Sequence, residues 1–189
     1  MSKTSAAAGK ALTSSLSSAG NHFELFGLQP AFSLDHKALE RAYREIQSRV
    51  HPDRFAHAGD AERRASLQWT TRVNEAYQAL KNPVARASHI LALHGVDVAF
   101  ETNTAMPADF LMQQMELREA LEDATETKNA SALDSLQRRI DADKNALEAR
   151  LGERIDRKKD YKGAADLVRE LQFLEKLEAE IDAAYEAIE

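Results

Sequence analysis

Apolar residues recur every three or four positions along most of this chain, the spacing that places side chains on one face of an α-helix. One such stripe consists of Leu39, Tyr43, Ile46 and Val50. Glycine and proline are scarce, with seven and four in 189 residues, whereas a β-protein needs a turn every few residues. The pattern therefore predicts an all-α protein.

Prolines mark the ends of the predicted N-terminal helices. Pro52 disfavours the α conformation in the residue before it, so a first long helix should end at Val50. Ser33 and Asp35 are both suitable N-caps for this helix. After a loop, a second helix should end just before Pro83, because proline fits the first turn of the helix that follows. That third helix is predicted to run to about residue 94.

The C-terminal half has the pattern of a helical bundle. Three helices are predicted, over about residues 107–126, 130–155 and 161–187. Their leucines and isoleucines lie near heptad spacing, and the connections between the helices are short. These two features predict an antiparallel three-helix bundle.

Composition excludes several classes of protein. Without cysteine, the chain has neither disulfides nor a thiolate-held metal or cluster. No apolar run approaches the roughly 18 residues that cross a bilayer, so no membrane partner is expected. Residues 21–94 carry 10 Lys and Arg against 8 Asp and Glu, whereas residues 95–189 carry 13 against 23. The acidic half argues against a general nucleic-acid binder, and we expect no cofactor and no bound metal.

Residues 1–20 are rich in Ala and Ser and lack the continuous apolar core of a secretory signal. They are interpreted as a disordered extension. An organelle transit peptide is the alternative, which the absence of Arg from this segment weakens. We therefore expect a cytoplasmic location.

A basic strip leads to a short charged loop. Lys37, Arg41 and Arg44 share the helix face opposite the apolar stripe, and the sequence HPDR follows at residues 51–54. The strip could be an ordinary solvated face, and the His and Asp of the loop, with His57, could form a metal or catalytic site. No nucleophile elbow, phosphate loop or HExxH pattern accompanies them. A proline-stiffened charged tip beside a basic strip is better suited to docking on an acidic partner.

The helix predicted at 107–126 has two apolar faces. Phe110 and two leucines, at 117 and 121, fall within about 20° of one another around the helix and define a core stripe. A second apolar sector lies about 100–200° away, with acidic residues around it, and Phe173 similarly lies off the stripe of the final helix. Burial on two sides of a bundle is one interpretation. An exposed apolar patch with an acidic rim, typical of a protein-binding site, is the other.

The order of these segments resembles a J domain. Residues 23–28 (FELFGL) precede the basic helix, and the His-Pro-Asp tripeptide separates that helix from one containing residues 73–80 (VNEAYQAL). The resemblance implies that the loop and the basic helix bind the ATPase domain of a DnaK-like chaperone and stimulate ATP hydrolysis. The residues implied in chaperone binding are His51, Pro52, Asp53, Arg54, Lys37, Arg41 and Arg44.

Beyond the J domain, the chain resembles the HscB family of co-chaperones, over about residues 23–177. Residues 110–119 (FLMQQMELRE) resemble that family's scaffold-binding helix, and residues 167–174 (LVRELQFL) resemble its final helix. The resemblance implies an iron–sulfur scaffold protein of the IscU type as client and an HscA-type chaperone as partner. The residues implied in scaffold binding are Leu111, Met112, Met115, Glu116, Glu119, Asp123 and Phe173.

Family members from eukaryotes carry a cysteine-rich N-terminal segment that binds zinc, so the cysteine-free chain resembles the bacterial type. The implied organisation is an extension over 1–20, a J domain over 21–94, a linker over 95–106 and a three-helix scaffold-binding domain over 107–189. A general J-domain holdase for unfolded proteins is the alternative function. An enzyme using the loop His and Asp is a third hypothesis.

Overall fold

The computed structural model of the chain describes residues 20–98 and 107–188. Within these ranges all regular structure is helical, as predicted. The described α-helices are α1 (His22–Leu25), α2 (His36–Val50), α3 (Asp60–Lys81), α4 (Pro83–Leu93), α5 (Ala108–Glu126), α6 (Ala130–Gly152) and α7 (Tyr161–Ile188). A 3₁₀ turn, Pro52–Phe55, follows α2, and a π-helical turn, Glu153–Lys158, follows α6. The predicted extension lies outside the described residues up to position 19.

The chain divides into two compact units between Arg86 and Ala87, within α4. The residues that follow α4 belong to the C-terminal unit, and their contacts show why. The ring of His94 stacks on that of Tyr161, with centroids 3.7 Å apart, and Arg169 Nη1 donates to the Val98 carbonyl at 2.9 Å. The proposed limits of 21–94 and 107–189 stay predictions, and most of the predicted linker, 99–106, lies outside the described residues.

In the N-terminal unit, α2 and α3 pack as a helical hairpin. Asp35, rather than Ser33, caps α2, since its carboxylate accepts from the backbone amides of residues 37 and 38 at 2.9 and 3.0 Å. The hydroxyl of Tyr43 donates to Asn74 Oδ1 at 3.0 Å, and its ring stacks on Tyr77 at 4.0 Å. These contacts set the two helices side by side. The buried residues of this unit include Phe23, Leu25, Phe32, Leu39, Val50, Val73, Ala76 and Leu80.

In the C-terminal unit, each of α5, α6 and α7 packs against the other two, which confirms the predicted three-helix bundle. The apolar stripes of the three helices face one another and exclude water, which is the main source of stability in such a bundle. The buried residues include Phe110, Leu117 and Leu121 from α5, Leu133, Leu136, Ile140, Leu147 and Leu151 from α6, and Leu167, Leu171, Leu174, Leu177 and Ile181 from α7.

A polar cap closes the connection between α6 and α7. Asp160 accepts a hydrogen bond from the Gly163 amide at 2.9 Å and is ion-paired with Arg154 of the π-helical turn. These two interactions hold the pKa of Asp160 below its usual value. Gly163 has no side chain to collide with the pair, whereas an added Cβ there would lie only 2.9 Å from Asp160 Cγ.

Replacing Asp160 by Ala should lower the melting temperature at neutral pH, because α7 loses its N-cap and the ion pair. A carboxyl whose pKa is lowered by folding contributes stability that is present above its unfolded pKa and lost as the pH falls through the folded value. The difference from the unmodified chain should therefore shrink below about pH 4. Melts followed by circular dichroism across this range provide the measurement, with Asp123→Ala as a control for lost surface charge. A difference that does not change with pH would contradict this account.

Candidate functional site

The His-Pro-Asp tripeptide forms a compact charged tip where α2 ends. His51 leaves the helix with an extended backbone, φ −56° and ψ 131°, and Pro52 begins the 3₁₀ turn. The imidazole Nδ1 accepts from the Asp53 amide at 3.3 Å and lies 3.5 Å from the Asp53 carboxylate. The side chain of Asp53 is 90% exposed. The proline and the imidazole thus hold the backbone while the carboxylate stays accessible to a partner.

Side chains from two directions hold the base of this tip. The Val50 carbonyl, at the end of α2, accepts from Ser66 Oγ at 2.6 Å and from Thr70 Oγ1 at 3.2 Å. Arg54 Nη1 donates to the Ser48 carbonyl at 3.1 Å. The last carbonyls of a helix have no partner within it, so these bonds satisfy groups that would otherwise need water. They also fix the position of the loop relative to α3.

Sequence reasoning missed Ser66 and Thr70, although a signal was present. Both continue the stripe of Val73 and Tyr77 along α3 at spacings of three and four. A hydroxyl on the core stripe of a helix needs a partner when it is buried, as Ser66 is. The stripe therefore indicates a hydrogen bond from a hydroxyl of α3 to a group on α2, but it does not show which group accepts it.

The basic strip has the exposure that its spacing predicted. Lys37, Arg41 and Arg44 are all exposed on α2. Arg44 forms an ion pair with Glu40, one turn earlier, so part of its charge is neutralised locally. The strip thus offers an exposed positive face on the helix that leads into the loop.

The residues that the structure describes contain neither a candidate metal site nor a membrane-spanning helix. No three His, Asp or Glu side chains in those ranges lie close enough together to hold a metal ion. No helix there has both the length and the apolar character needed to span a bilayer.

The second apolar face of α5 is open to solvent. Leu111, Met112 and Met115 are 44%, 63% and 71% exposed, whereas Phe110 and Leu117 of the same helix are buried. The two faces inferred from the helical angles are therefore both present. We call Leu111, Met112 and Met115 the α5 patch. Large apolar side chains that cluster in solvent are typical of surfaces that bind another protein.

Phe173 differs from its expected exposure. The family resemblance implies an exposed scaffold-binding surface that Phe173 shares with the α5 patch, but the residue is half-buried. Its ring packs edge to face on Phe110, with centroids 5.8 Å apart and planes at 83°, and the Arg118 guanidinium lies 5.5 Å from the ring centroid. Phe173 is thus less exposed than expected, because it lies where α7 packs against α5.

The acidic residues around the α5 patch are exposed, as expected. Glu119 and Asp123 lie on the solvent side of α5, and Glu116 Oε2 lies 3.6 Å from Arg139 of α6. Arg118 was not predicted to belong to this surface. It lies at a helical spacing from Met115 and reaches Glu180 of α7 at 3.2 Å.

Residues 106–182 match the family model described as the HscB C-terminal oligomerisation domain. Over 169 residues the chain is 52% identical to the co-chaperone protein HscB homolog of Burkholderia mallei, a match that covers 89% of this chain and 96% of that protein. The chain belongs to the HscB family of co-chaperones.

Solved HscB structures have the same fold. The chaperone HscB from Vibrio cholerae superposes with a TM-score of 0.78 at 35% identity, covering 89% of this chain and 99% of that one. The human co-chaperone protein HscB superposes with a TM-score of 0.82 at 25% identity, covering 88% and 82%. These matches confirm the predicted family and the predicted fold, a J domain followed by a C-terminal helical domain. The chain is a co-chaperone.

Proposed function

We propose that the chain is an adaptor in iron–sulfur cluster assembly. It binds an IscU-type scaffold protein, delivers it to an HscA-type chaperone of the DnaK class, and stimulates the ATPase of that chaperone. The result is transfer of the cluster to proteins that require it. One observation carries the proposal: each of two compact units exposes a different kind of surface, a charged loop in one and the apolar α5 patch in the other.

The charged loop supports contact with the chaperone. The exposed carboxylate of Asp53 can accept hydrogen bonds from a cationic or amide donor on a partner, and such charge-assisted bonds are strong. Its position is set before binding by Pro52 and by the bonds to the Val50 carbonyl, so little conformational entropy is lost on docking. The basic strip on α2 suits an acidic surface on the ATPase domain and can speed its approach.

The α5 patch supports contact with a folded client. Methionine repacks easily against a partner, and leucine supplies apolar area that water leaves on binding. The acidic rim of Glu116, Glu119 and Asp123 would complement a scaffold surface that places basic residues around an apolar centre. Since the chain has no cysteine, the cluster would stay on the scaffold throughout the handover.

A single-turnover ATPase assay with a purified HscA-type chaperone tests this function. The rate is measured with the chain alone, with the scaffold alone and with both, and an unfolded model protein replaces the scaffold as a control. We expect the chain and the scaffold together to accelerate hydrolysis beyond the product of their separate effects. Equal acceleration with the unfolded protein would instead support the general holdase. Because the partner chaperone hydrolyses ATP, the two proteins should work together in the cytoplasm, where ATP is available.

Reversing one charge of the basic strip, Arg41→Glu, should slow association with the chaperone, most visibly at low salt. Exposed charges act on the encounter rate and are screened over about 8–10 Å at physiological salt. Lys37→Glu and Arg44→Glu should act in the same direction. Association rates measured by stopped flow across ionic strength give the answer.

The matched control is Arg49→Glu, on the same helix but about 120° around it from Lys37. It makes the same change in charge and should slow association less. Equal slowing by Arg49→Glu, or association rates of the unmodified chain that do not depend on salt, would contradict a role for the strip.

A further inference from the structure

We propose that Arg118 is a positioning residue of the scaffold-binding surface: it holds the Phe173 ring in the orientation that the scaffold contacts. The inference rests on the proposed function. Arg118 lies on α5 and reaches two residues of α7, since its guanidinium carbon is 5.5 Å from the Phe173 ring centroid and its Nη2 is 3.2 Å from Glu180 Oε1.

Phe173 is held from two directions. The buried ring of Phe110 meets it edge to face, at 83° and 5.8 Å, a favoured geometry for two aromatic rings. The Arg118 guanidinium lies over the ring, and it forms an ion pair with Glu180. Cation–π attraction and the ion pair together restrict the orientations open to the half-buried ring.

Arg118 also lies beside the α5 patch. Leu111, Met115 and Arg118 are spaced four and three residues apart, so they form one row along α5. A partner that covers Leu111 and Met115 therefore reaches the place where Arg118 meets Phe173. Binding costs less entropy when an aromatic side chain already holds its bound orientation.

A purely structural role does not account for Arg118. Its side chain is 54% exposed and that of Glu180 is 42% exposed, and ion pairs so open to water add little to stability. The loss of Arg118 should therefore leave the melting temperature nearly unchanged. Its effect should appear in scaffold affinity, and only while Phe173 is present.

A double-mutant cycle tests the proposal on the full-length chain. Scaffold affinity is measured by calorimetry for the unmodified chain, Arg118→Ala, Phe173→Ala and the double variant. Arg118→Ala should weaken binding about threefold to tenfold, because the cation–π contact is weak while it is open to water and gains strength when the scaffold covers it. In the Phe173→Ala background the same change should have an effect of less than about twofold.

Two further variants sharpen the cycle. Arg118→Lys keeps the charge and should recover part of the affinity, and Glu180→Gln should weaken binding by a smaller factor than Arg118→Ala. The matched control is Arg138→Ala, which removes an exposed arginine of α6 that bonds to Ser135. It should leave scaffold affinity unchanged.

An equal effect of Arg118→Ala with and without Phe173 would overturn the proposal, because Arg118 would then contact the scaffold directly. Unchanged affinity in Arg118→Ala, with a clear loss in Phe173→Ala, would overturn it as well. The proposed function fails in a different way: there, scaffold affinity would be the same in Phe173→Ala, in variants of the α5 patch and in the unmodified chain.

Discussion

Replacing Asp53 by Asn will abolish stimulation of the chaperone ATPase and leave the fold intact. The carboxylate is 90% exposed and lies 3.5 Å from the His51 ring, so its loss removes little that stabilises the N-terminal unit. In the complex, the same carboxylate would pair with a donor on the chaperone. Truncating one partner of a desolvated charge pair costs about 2–5 kcal/mol, or on the order of thirtyfold or more in affinity.

Single-turnover hydrolysis measures the stimulation, and a circular dichroism melt measures the fold. The matched control is Asp60→Asn, which changes another exposed aspartate at the start of α3, paired there with Arg63. This variant should keep full stimulation. Full stimulation by Asp53→Asn would rule out the loop as the activating element, and a lost melting transition would show that Asp53 supports the fold.

Truncating Leu111 and Met115 to Ala will weaken scaffold binding at least a hundredfold and cost less than about 1 kcal/mol of stability. The two side chains are 44% and 71% exposed, so their loss opens no cavity. Each can serve as an anchor worth on the order of 2 kcal/mol at the centre of an apolar interface. Stimulation of the chaperone through the loop should survive, since that loop belongs to the other compact unit.

Adding Phe173→Ala to the Leu111 and Met115 double variant should weaken scaffold binding further. It should also lower the stability of the chain by more than expected for a fully exposed residue. The change removes the edge-to-face contact with Phe110, and aromatic pairs contribute about 0.5–1.5 kcal/mol beyond their buried area. As a reference for core loss, Leu117→Ala, at a fully buried position of α5, should cost roughly 2–5 kcal/mol. A melting temperature that falls as far in the double variant as in Leu117→Ala would show that the α5 patch is core. Unchanged scaffold affinity would place the client elsewhere.

The limits of the helices could be predicted closely because their causes are local. Pro52 and Pro83 act on the residues next to them, and each lies at the helix boundary that was predicted. The angle between two residues around a helix depends only on their separation in the sequence. For this reason Phe110 and Leu111 could be assigned to different faces before the fold was known.

The two candidate surfaces differ in how much the sequence revealed. The exposure of Asp53 and of the basic strip follows from positions opposite or beyond an apolar stripe. The bonds from Ser66 and Thr70 to the Val50 carbonyl join residues 16 and 20 positions apart. Their geometry depends on how far α2 and α3 slide along each other, which periodicity does not specify.

The sequence by itself determined the helices, their apolar faces, the charged loop and the family. Only the tertiary structure decided the surroundings of Phe173, because they depend on which residues of α5 lie opposite it on α7. Those residues are Phe110 and Arg118, 63 and 55 positions away in the chain. A periodic pattern shows that a side chain lies off the core stripe of its own helix. Whether that side chain is buried depends on the neighbouring helix that packs against it.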